Sequence, residues 1–226
     1  GAGALDVYST PIQMKKNRPA QKVTCVCAIR DIDRMAELFF RETTTIGSVR
    51  VSFHPAGHVL GSAQIRIEHR GEVWVVSGDY KLDADPTCSP FEPVRCHTFV
   101  TESTFGLPLF HWPPTTEVVA DLHAWWIANK NAGRTSVIYA YALGKTQRLL
   151  AHLDTSIGPV LVHEAAHRLL ACYRAAGVSL PPVAPATEEN TRRIAGRGFV
   201  IASPASDPSA LLNLSGRRRH KHLDLT

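Results

Sequence analysis

The sequence predicts an α/β protein, and two patterns indicate this class. In the second half, short β-branched runs alternate with helical patterns, which is typical of βαβ units on a parallel sheet. In the first half, strand-like runs follow one another across tight turns, which is typical of a hairpin-rich mixed sheet. The composition agrees, because 44% of the 226 residues are hydrophobic and 20% are charged, as in ordinary globular proteins.

The first half carries several strand signals and one helix signal. β-branched side chains and period-two alternation predict strands at residues 23–29, 49–53, 64–69, 72–76 and 98–101. The pair Arg70-Gly71 predicts a tight turn between the third and fourth of these strands. Residues 31–42 have the apolar spacing of an amphipathic helix, with Asp31 at the N-cap position.

The second half begins after a proline-rich loop. Pro108, Pro113 and Pro114 interrupt regular structure, and we place the domain boundary there, with one domain at residues 1–107 and the other at residues 108–226. Helices are predicted at residues 116–130, 145–153 and 163–176, and strands at residues 136–141, 159–162 and 198–202. A proline-rich loop at residues 180–185 separates the last helix from the last strand.

Charge, hydropathy and cysteine usage exclude several classes. The net charge is +5, but much of it lies in a basic tail around Arg217 to Lys221, so charge alone does not predict a nucleic-acid groove. No apolar run has the length of a membrane span. The five cysteines include no C-x-x-C pair, which argues against a zinc ribbon and predicts reduced thiols in a cytoplasmic protein.

Three polar residues follow predicted strands closely. His58 follows the strand at 49–53, Asp79 the strand at 72–76, and Glu102 the strand at 98–101. Functional groups gather at the carboxyl ends of strands, and an imidazole with carboxylates suits zinc or manganese. The alternative is that strand ends are polar simply because turns are polar.

Four segments together carry a family resemblance. They are residues 54–63 (HPAGHVLGSA), 77–80 (SGDY), 101–106 (TESTFG) and 140–147 (AYALGKTQ). In that order they resemble motif 3, motif 4, motif A and a β-CASP segment of metallo-β-lactamase-fold nucleases that carry a β-CASP domain. Within that family the chain most resembles the bacterial ligase-associated DNA exonucleases. The resemblance runs from about residue 49 to about residue 178.

The resemblance implies a partial αββα sandwich followed by part of a β-CASP domain with a parallel sheet. It also implies two zinc ions, with manganese as an alternative, that activate water for phosphodiester hydrolysis. On this resemblance His58 is a metal ligand, Asp79 is the carboxylate that bridges both metals, and Glu102 orients a histidine that assists the leaving group. The implied partner is DNA, in repair linked to a DNA ligase.

The catalytic set of that family is incomplete in this sequence. The resemblance implies an H-x-H-x-D-H motif just upstream of a segment like residues 4–11, and two further histidine motifs beyond Ala202; the sequence contains none of them. Catalytic zinc sites use three protein ligands or more per ion. We therefore predict that this chain is inactive or only weakly active. The alternative is a non-catalytic nucleic-acid-binding remnant of the same fold.

Two further motifs suggest other chemistry. Gly144-Lys145-Thr146 lacks the first glycine of a Walker A motif, but Lys145 opens a helix after a strand and is a candidate contact to a nucleic-acid phosphate. An ordinary helix start with a solvated lysine is the alternative. His163, Glu164 and His167 match H-E-x-x-H, so a zinc metalloprotease is the rival enzyme hypothesis.

Overall fold

A computed structural model describes residues 4–14, 18–27, 44–109 and 111–204, with side chains described from residue 47 onward. It confirms the α/β class, because these residues form helices and three sheets, of which one is mixed and one is entirely parallel. They fall into two compact units. The first contains described residues up to 56, 61–80 and 91–102, and the second contains residues 57–60, 81–90 and those from 103 onward.

The first unit consists of two sheets. Its strands are β1 (Ala4–Met14), β2 (Arg18–Cys27), β3 (Thr44–Ile46), β4 (Val49–Pro55), β5 (Ala63–His69), β6 (Glu72–Val76) and β7 (Thr98–Val100). Strands β1 and β2 pair antiparallel as a separate two-stranded sheet. The other five lie in chain order, antiparallel except for the parallel β6–β7 pair. The predicted hairpin-rich mixed sheet is therefore confirmed.

A two-residue turn fixes the register of β5 and β6. Arg70 and Gly71 have φ angles of 51° and 83°, and positive φ at both central positions is the signature of a type I′ turn, whose twist suits antiparallel strands. The turn pairs His69 with Glu72. Since β4 also runs antiparallel to β5, the carboxyl ends of β4, β6 and β7 meet at one edge of the sheet.

The second unit is built from alternating strands and helices. The helices are α1 (Thr115–Asn131), α2 (Lys145–His152), α3 (Glu164–Ala175) and α4 (Glu188–Ile194), and the strands are β8 (Ser136–Tyr139), β9 (Val160–Val162), β10 (Ala184–Pro185) and β11 (Phe199–Ala202). The sheet order is β10-β9-β11-β8, with every pair parallel. The predicted parallel sheet is confirmed.

The core of the second unit surrounds its central strand. All four residues of β11 are buried, which fits the continuous apolar sequence of a strand covered on both faces. The Phe199 ring lies 5.0 Å from the Trp126 ring and 6.2 Å from the Trp125 ring. Trp126 and Phe199 are both fully buried, so Trp126 is a core residue.

The predicted elements between residues 49 and 202 are confirmed apart from small shifts at their ends. Four described elements were not predicted, namely β1, β3, β10 and α4. The predicted strand at 23–29 overlaps the longer β2, and the predicted helix at 31–42 lies outside the described residues. Among the described residues, no helix combines the length and apolar character needed to cross a membrane.

Candidate functional site

Two predicted site residues lie at one edge of the first unit's mixed sheet. Strands β6 and β7 are parallel, and Val76 at the end of β6 pairs with Val100 at the end of β7. Asp79 follows β6 closely and is exposed, and Glu102 follows β7 closely and is half-buried. The parallel register thus brings the two strand ends, and the residues that follow them, to the same sheet edge.

A polar cluster that the sequence did not predict lies at the same edge, where β4 ends. The Nδ1 atom of His54 lies 2.8 Å from Oε1 of Glu92, and its Nε2 lies 3.0 Å from Oγ of Ser52. Gln64 is 1% exposed, and its amide nitrogen donates to the carbonyls of Pro55 at 3.0 Å and Glu92 at 2.8 Å. These bonds hold residue 92, from a segment without regular structure, against β4.

His58 lies in the turn that follows β4. It is half-buried and belongs to the second unit, whereas Asp79 and Glu102 belong to the first. Within residues 47–109 and 111–204, no three histidine, cysteine, aspartate or glutamate side chains form a group that could hold a metal ion. Three protein ligands are the minimum for a catalytic zinc. The described residues therefore do not fit a complete metal centre.

Lys145 is the first residue of α2, directly after a sharp turn. The amide of Thr146 donates to the carbonyl of Tyr141 at 3.2 Å, and the amide of Lys145 donates to that of Leu143 at 3.1 Å. These helix-start amides are satisfied by the turn itself. The Lys145 ammonium lies 5.3 Å from the centre of the exposed Tyr141 ring. A phosphate contact at this position would therefore depend on the Lys145 side chain.

The H-E-x-x-H segment is arranged as a helix start. His163 is the N-cap of α3, and its Nδ1 accepts a hydrogen bond from the amide of Ala165 at 3.2 Å. Glu164 pairs with Arg168 at 2.5 Å, and that hydrogen bond lowers the pKa of the Glu164 carboxyl. A zincin presents both histidines from one helix and keeps the glutamate available as a base. Here one histidine caps the helix and the glutamate pairs with an arginine.

Comparison with known families gives an unexpected result for the first residues. The profile of the family described as nickel insertion protein matches residues 1–59. A putative nickel insertion protein of Geobacter sulfurreducens is 52% identical over 58 residues, which are 26% of this chain and 14% of that protein. These residues lie within the predicted partial metallo-β-lactamase domain at residues 1–107, and no sequence motif predicts their similarity to nickel insertion proteins.

Other relatives are nucleic-acid enzymes by name. A probable DNA ligase of Opitutus terrae is 34% identical over 164 residues, which are 72% of this chain and 16% of the ligase. Endoribonuclease ysh1 of Aspergillus fumigatus is 36% identical over 118 residues, which are 51% of this chain and 13% of that protein. The chain thus spans less than a fifth of the length of each of these relatives.

The named relatives support the predicted resemblance to nucleases as a family, without identifying one kind of nuclease. Similarity of about 35% to several proteins named endoribonuclease supports a hydrolase resemblance of the metallo-β-lactamase/β-CASP type. Such relatives suggest metal use without identifying the metal. By sequence, the chain resembles proteins named DNA ligase or endoribonuclease over half of its length or more, and nickel insertion proteins over residues 1–59.

Proposed function

We propose that this chain contains part of a nucleic-acid phosphodiesterase of the metallo-β-lactamase/β-CASP type, close in kind to the DNA exonucleases associated with ligases. One observation carries the proposal: the parallel β6–β7 pair brings the Asp79 and Glu102 carboxylates to one sheet edge. The order of the four sequence motifs and the similarity to named endoribonucleases and a DNA ligase support it.

The residues have distinct proposed roles. The proposed role of Asp79 is to bridge two metal ions, and its exposed side chain is accessible to them; Glu102 is half-buried, as suits a group that orients another side chain. His58 and Asp79 are this chain's proposed metal ligands, and Lys145 is its proposed phosphate contact. Because phosphate contacts carry no sequence information, binding is expected to be salt-dependent and weakly sequence-specific.

The proposed activity of the 226-residue chain alone is weak. Its sequence contains no H-x-H-x-D-H motif, and its described residues assemble no three-ligand metal group. Nucleic-acid binding does not require those ligands. We therefore propose that the chain binds single-stranded DNA and hydrolyses it slowly in the presence of zinc or manganese.

An oligonucleotide assay tests this function. The purified chain is incubated with end-labelled single-stranded DNA and RNA, with zinc, with manganese and with chelator. We expect binding that weakens with salt and in Lys145→Gln, and slow cleavage that needs metal and disappears in Asp79→Asn. Arg174→Gln, which removes an exposed cation from α3, is the matched control for Lys145. Rapid cleavage by the unmodified chain would contradict the proposal, as would absence of binding to either nucleic acid.

A second candidate function concerns residues 1–59 alone. Their profile match and the 56% identity over 46 residues to a pyridinium-3,5-bisthiocarboxylic acid mononucleotide nickel insertion protein of Lactiplantibacillus plantarum favour it. We propose that this segment contributes to nickel binding. Calorimetric titration of the whole chain with Ni²⁺ tests the idea: saturable heat supports it, and heat no larger than that of a buffer blank contradicts it.

A further inference from the structure

A buried carboxylate lies at the centre of a network in the second unit. The Asp85 side chain is 2% exposed. Its Oδ1 accepts hydrogen bonds from the amide of Thr87 at 2.9 Å and from its hydroxyl at 2.6 Å. Its Oδ2 lies 3.6 Å from Nζ of Lys81 and 3.4 Å from Nε of Arg148. Both oxygens of a buried charge therefore have partners, which is the condition for retaining such a charge.

This network joins a loop to helix α2. Lys81, Asp85 and Thr87 belong to the segment of residues 81–90, whereas Arg148 lies on the second turn of α2. Removing one partner of a buried pair leaves an uncompensated charge. Asp85 therefore attaches the loop of residues 81–90 to α2.

The same loop contacts the turn that carries His58. The Cys88 thiol donates to the carbonyl of Gly57 at 3.4 Å. On the other side of that turn, Val59 packs so closely on Gly144 that a Cβ at residue 144 would lie 2.2 Å from Cγ1 of Val59. Gly144 directly precedes Lys145 and caps α2. The His58 turn thus lies against both the Asp85 loop and the start of α2.

Tyr173 supports the same arrangement from helix α3. Its ring is buried, and burial raises the pKa of its hydroxyl, while the nearby backbone amides of Leu60 and Gly144 oppose that shift. Leu60 ends the His58 turn, and Gly144 is the cap residue directly before α2. One buried side chain therefore lies beside both turns.

We propose that Asp85 is a positioning residue within the second unit. It fixes the position of the His58 turn relative to the turn that precedes Lys145 at the start of α2. It touches neither side chain and acts through Cys88, Gly57 and Arg148. Its importance for nucleic-acid hydrolysis rests on the proposed function, whereas the positioning itself does not. This role is not predictable from the sequence, because Asp85 lies in a segment without regular structure or a recognised motif.

The Cys88 thiol provides a direct readout. The pKa of Cys88 is raised to about 11, chiefly by burial and also by the Asp85 charge, while the Lys81 and Arg148 charges oppose that rise. An electrostatic effect and a detachment of the loop therefore predict opposite changes in the alkylation rate of Cys88 when Arg148 is removed. If only electrostatics changed, the thiol would become less acidic and react more slowly. If the loop detaches, the thiol becomes accessible and reacts faster.

The test measures alkylation of Cys88 by peptide mass spectrometry in the whole chain, with exposed Cys172 as internal reference. In Arg148→Ala we expect the ratio of Cys88 to Cys172 reactivity to rise about tenfold, a typical consequence of breaking a buried charged contact. Arg148→Lys, which keeps the charge, is expected to restore most of the protection. Glu164→Gln, which breaks an exposed ion pair of the same unit, is expected to leave the ratio unchanged.

A spectroscopic measurement separates positioning from general stability. In Asp85→Asn and Arg148→Ala, the imidazole NMR signals of His58 are expected to shift, while those of His123, which contacts the amide of Asp154 elsewhere in the unit, remain in place. Unchanged His58 signals, or slower Cys88 alkylation in Arg148→Ala, would overturn the proposal. Neither readout needs hydrolysis. Increased Cys88 reactivity in a chain that binds no nucleic acid would support the positioning role and contradict the proposed function.

Discussion

The amide of Ser77 donates a 2.9 Å hydrogen bond to the carbonyl of Val100. Ser77 is the first residue after β6 and Val100 is the last residue of β7, so the bond continues the parallel pairing to the edge of the sheet. Asp79 lies just beyond Ser77 in the chain, and Glu102 lies just beyond Val100, so the two residues follow adjacent strands. A shift of one residue in this pairing would turn the side chains to the opposite face, so this contact helps to keep both carboxylates at the edge.

Gln64 is expected to stabilise this edge through its two hydrogen bonds. In Gln64→Leu the carbonyls of Pro55 and Glu92 lose their buried donor, and we expect the free energy of unfolding to fall by about 1–3 kcal/mol. Urea unfolding followed by circular dichroism measures it. Glu92→Gln, on an exposed side chain, is the control and should have a smaller effect. Equal losses in the two variants would contradict the role of Gln64.

Gly144 is expected to tolerate no side chain, because two constraints coincide there. Its φ is 81°, and an added Cβ would lie 2.2 Å from Val59. Gly177 has the same φ with open space around it, so Gly177→Ala measures the backbone cost alone, about 1 kcal/mol. Thermal unfolding should show a clearly larger loss for Gly144→Ala. Equal losses would mean that Val59 does not pack on Gly144 as described.

Phe199 is expected to be a principal core residue of the second unit. It is fully buried against Trp126, and Phe199→Ala should cost about 3–5 kcal/mol through lost burial and a cavity. Leu143→Ala, at an exposed apolar position, should cost much less. Denaturant unfolding monitored by tryptophan fluorescence distinguishes the two. A Phe199→Ala loss no larger than that of Leu143→Ala would contradict this packing.

His152 is expected to make stability depend on pH. Burial lowers the pKa of His152 below its usual 6.5; the Arg148 and Lys81 charges add to this shift and the Asp85 charge opposes it. The folded state therefore favours the neutral imidazole. Its contribution to stability is complete above about pH 6.5 and is lost as the pH falls through the lowered pKa.

The pH dependence is checked by the free energy of unfolding between pH 7.5 and 5. Wild type should lose stability across the lower part of that range, and His152→Gln should lose less. His111→Gln, at an exposed position, should follow the wild-type curve. Parallel curves for wild type and His152→Gln would show that His152 does not titrate differently in the folded and unfolded states.

The regular elements from residue 49 onward were predictable because their signals are local. The Arg70-Gly71 turn, the alternation in β6 and the apolar β11 each follow from short-range patterns. Strand β10 was not predictable, because two residues within a proline-rich loop carry no periodicity. Helix α4 was missed because its charged, exposed face is formed by ion pairs such as Arg193 with Glu189 and shows little apolar spacing.

The candidate site was predictable in part. Asp79 and Glu102 were predicted only to follow strands, and the parallel β6–β7 register shows that these two strand ends lie side by side. His54 and Glu92 are 38 residues apart in the chain, so no local sequence pattern predicts their contact. The same holds for Asp85 with Arg148. The predicted roles of His58, Asp79, Glu102 and Lys145 stay predictions, as does the predicted domain boundary after residue 107.

Metal stoichiometry tests the central claim most directly, namely that this chain carries site carboxylates of a nucleic-acid hydrolase without a complete ligand set. Native mass spectrometry after incubation with zinc or manganese and desalting counts the retained ions in wild type, His58→Ala and Asp79→Asn, with His111→Ala as control. We predict less than one retained ion per wild-type chain. Stoichiometric zinc or manganese that is lost in both His58→Ala and Asp79→Asn would contradict the account.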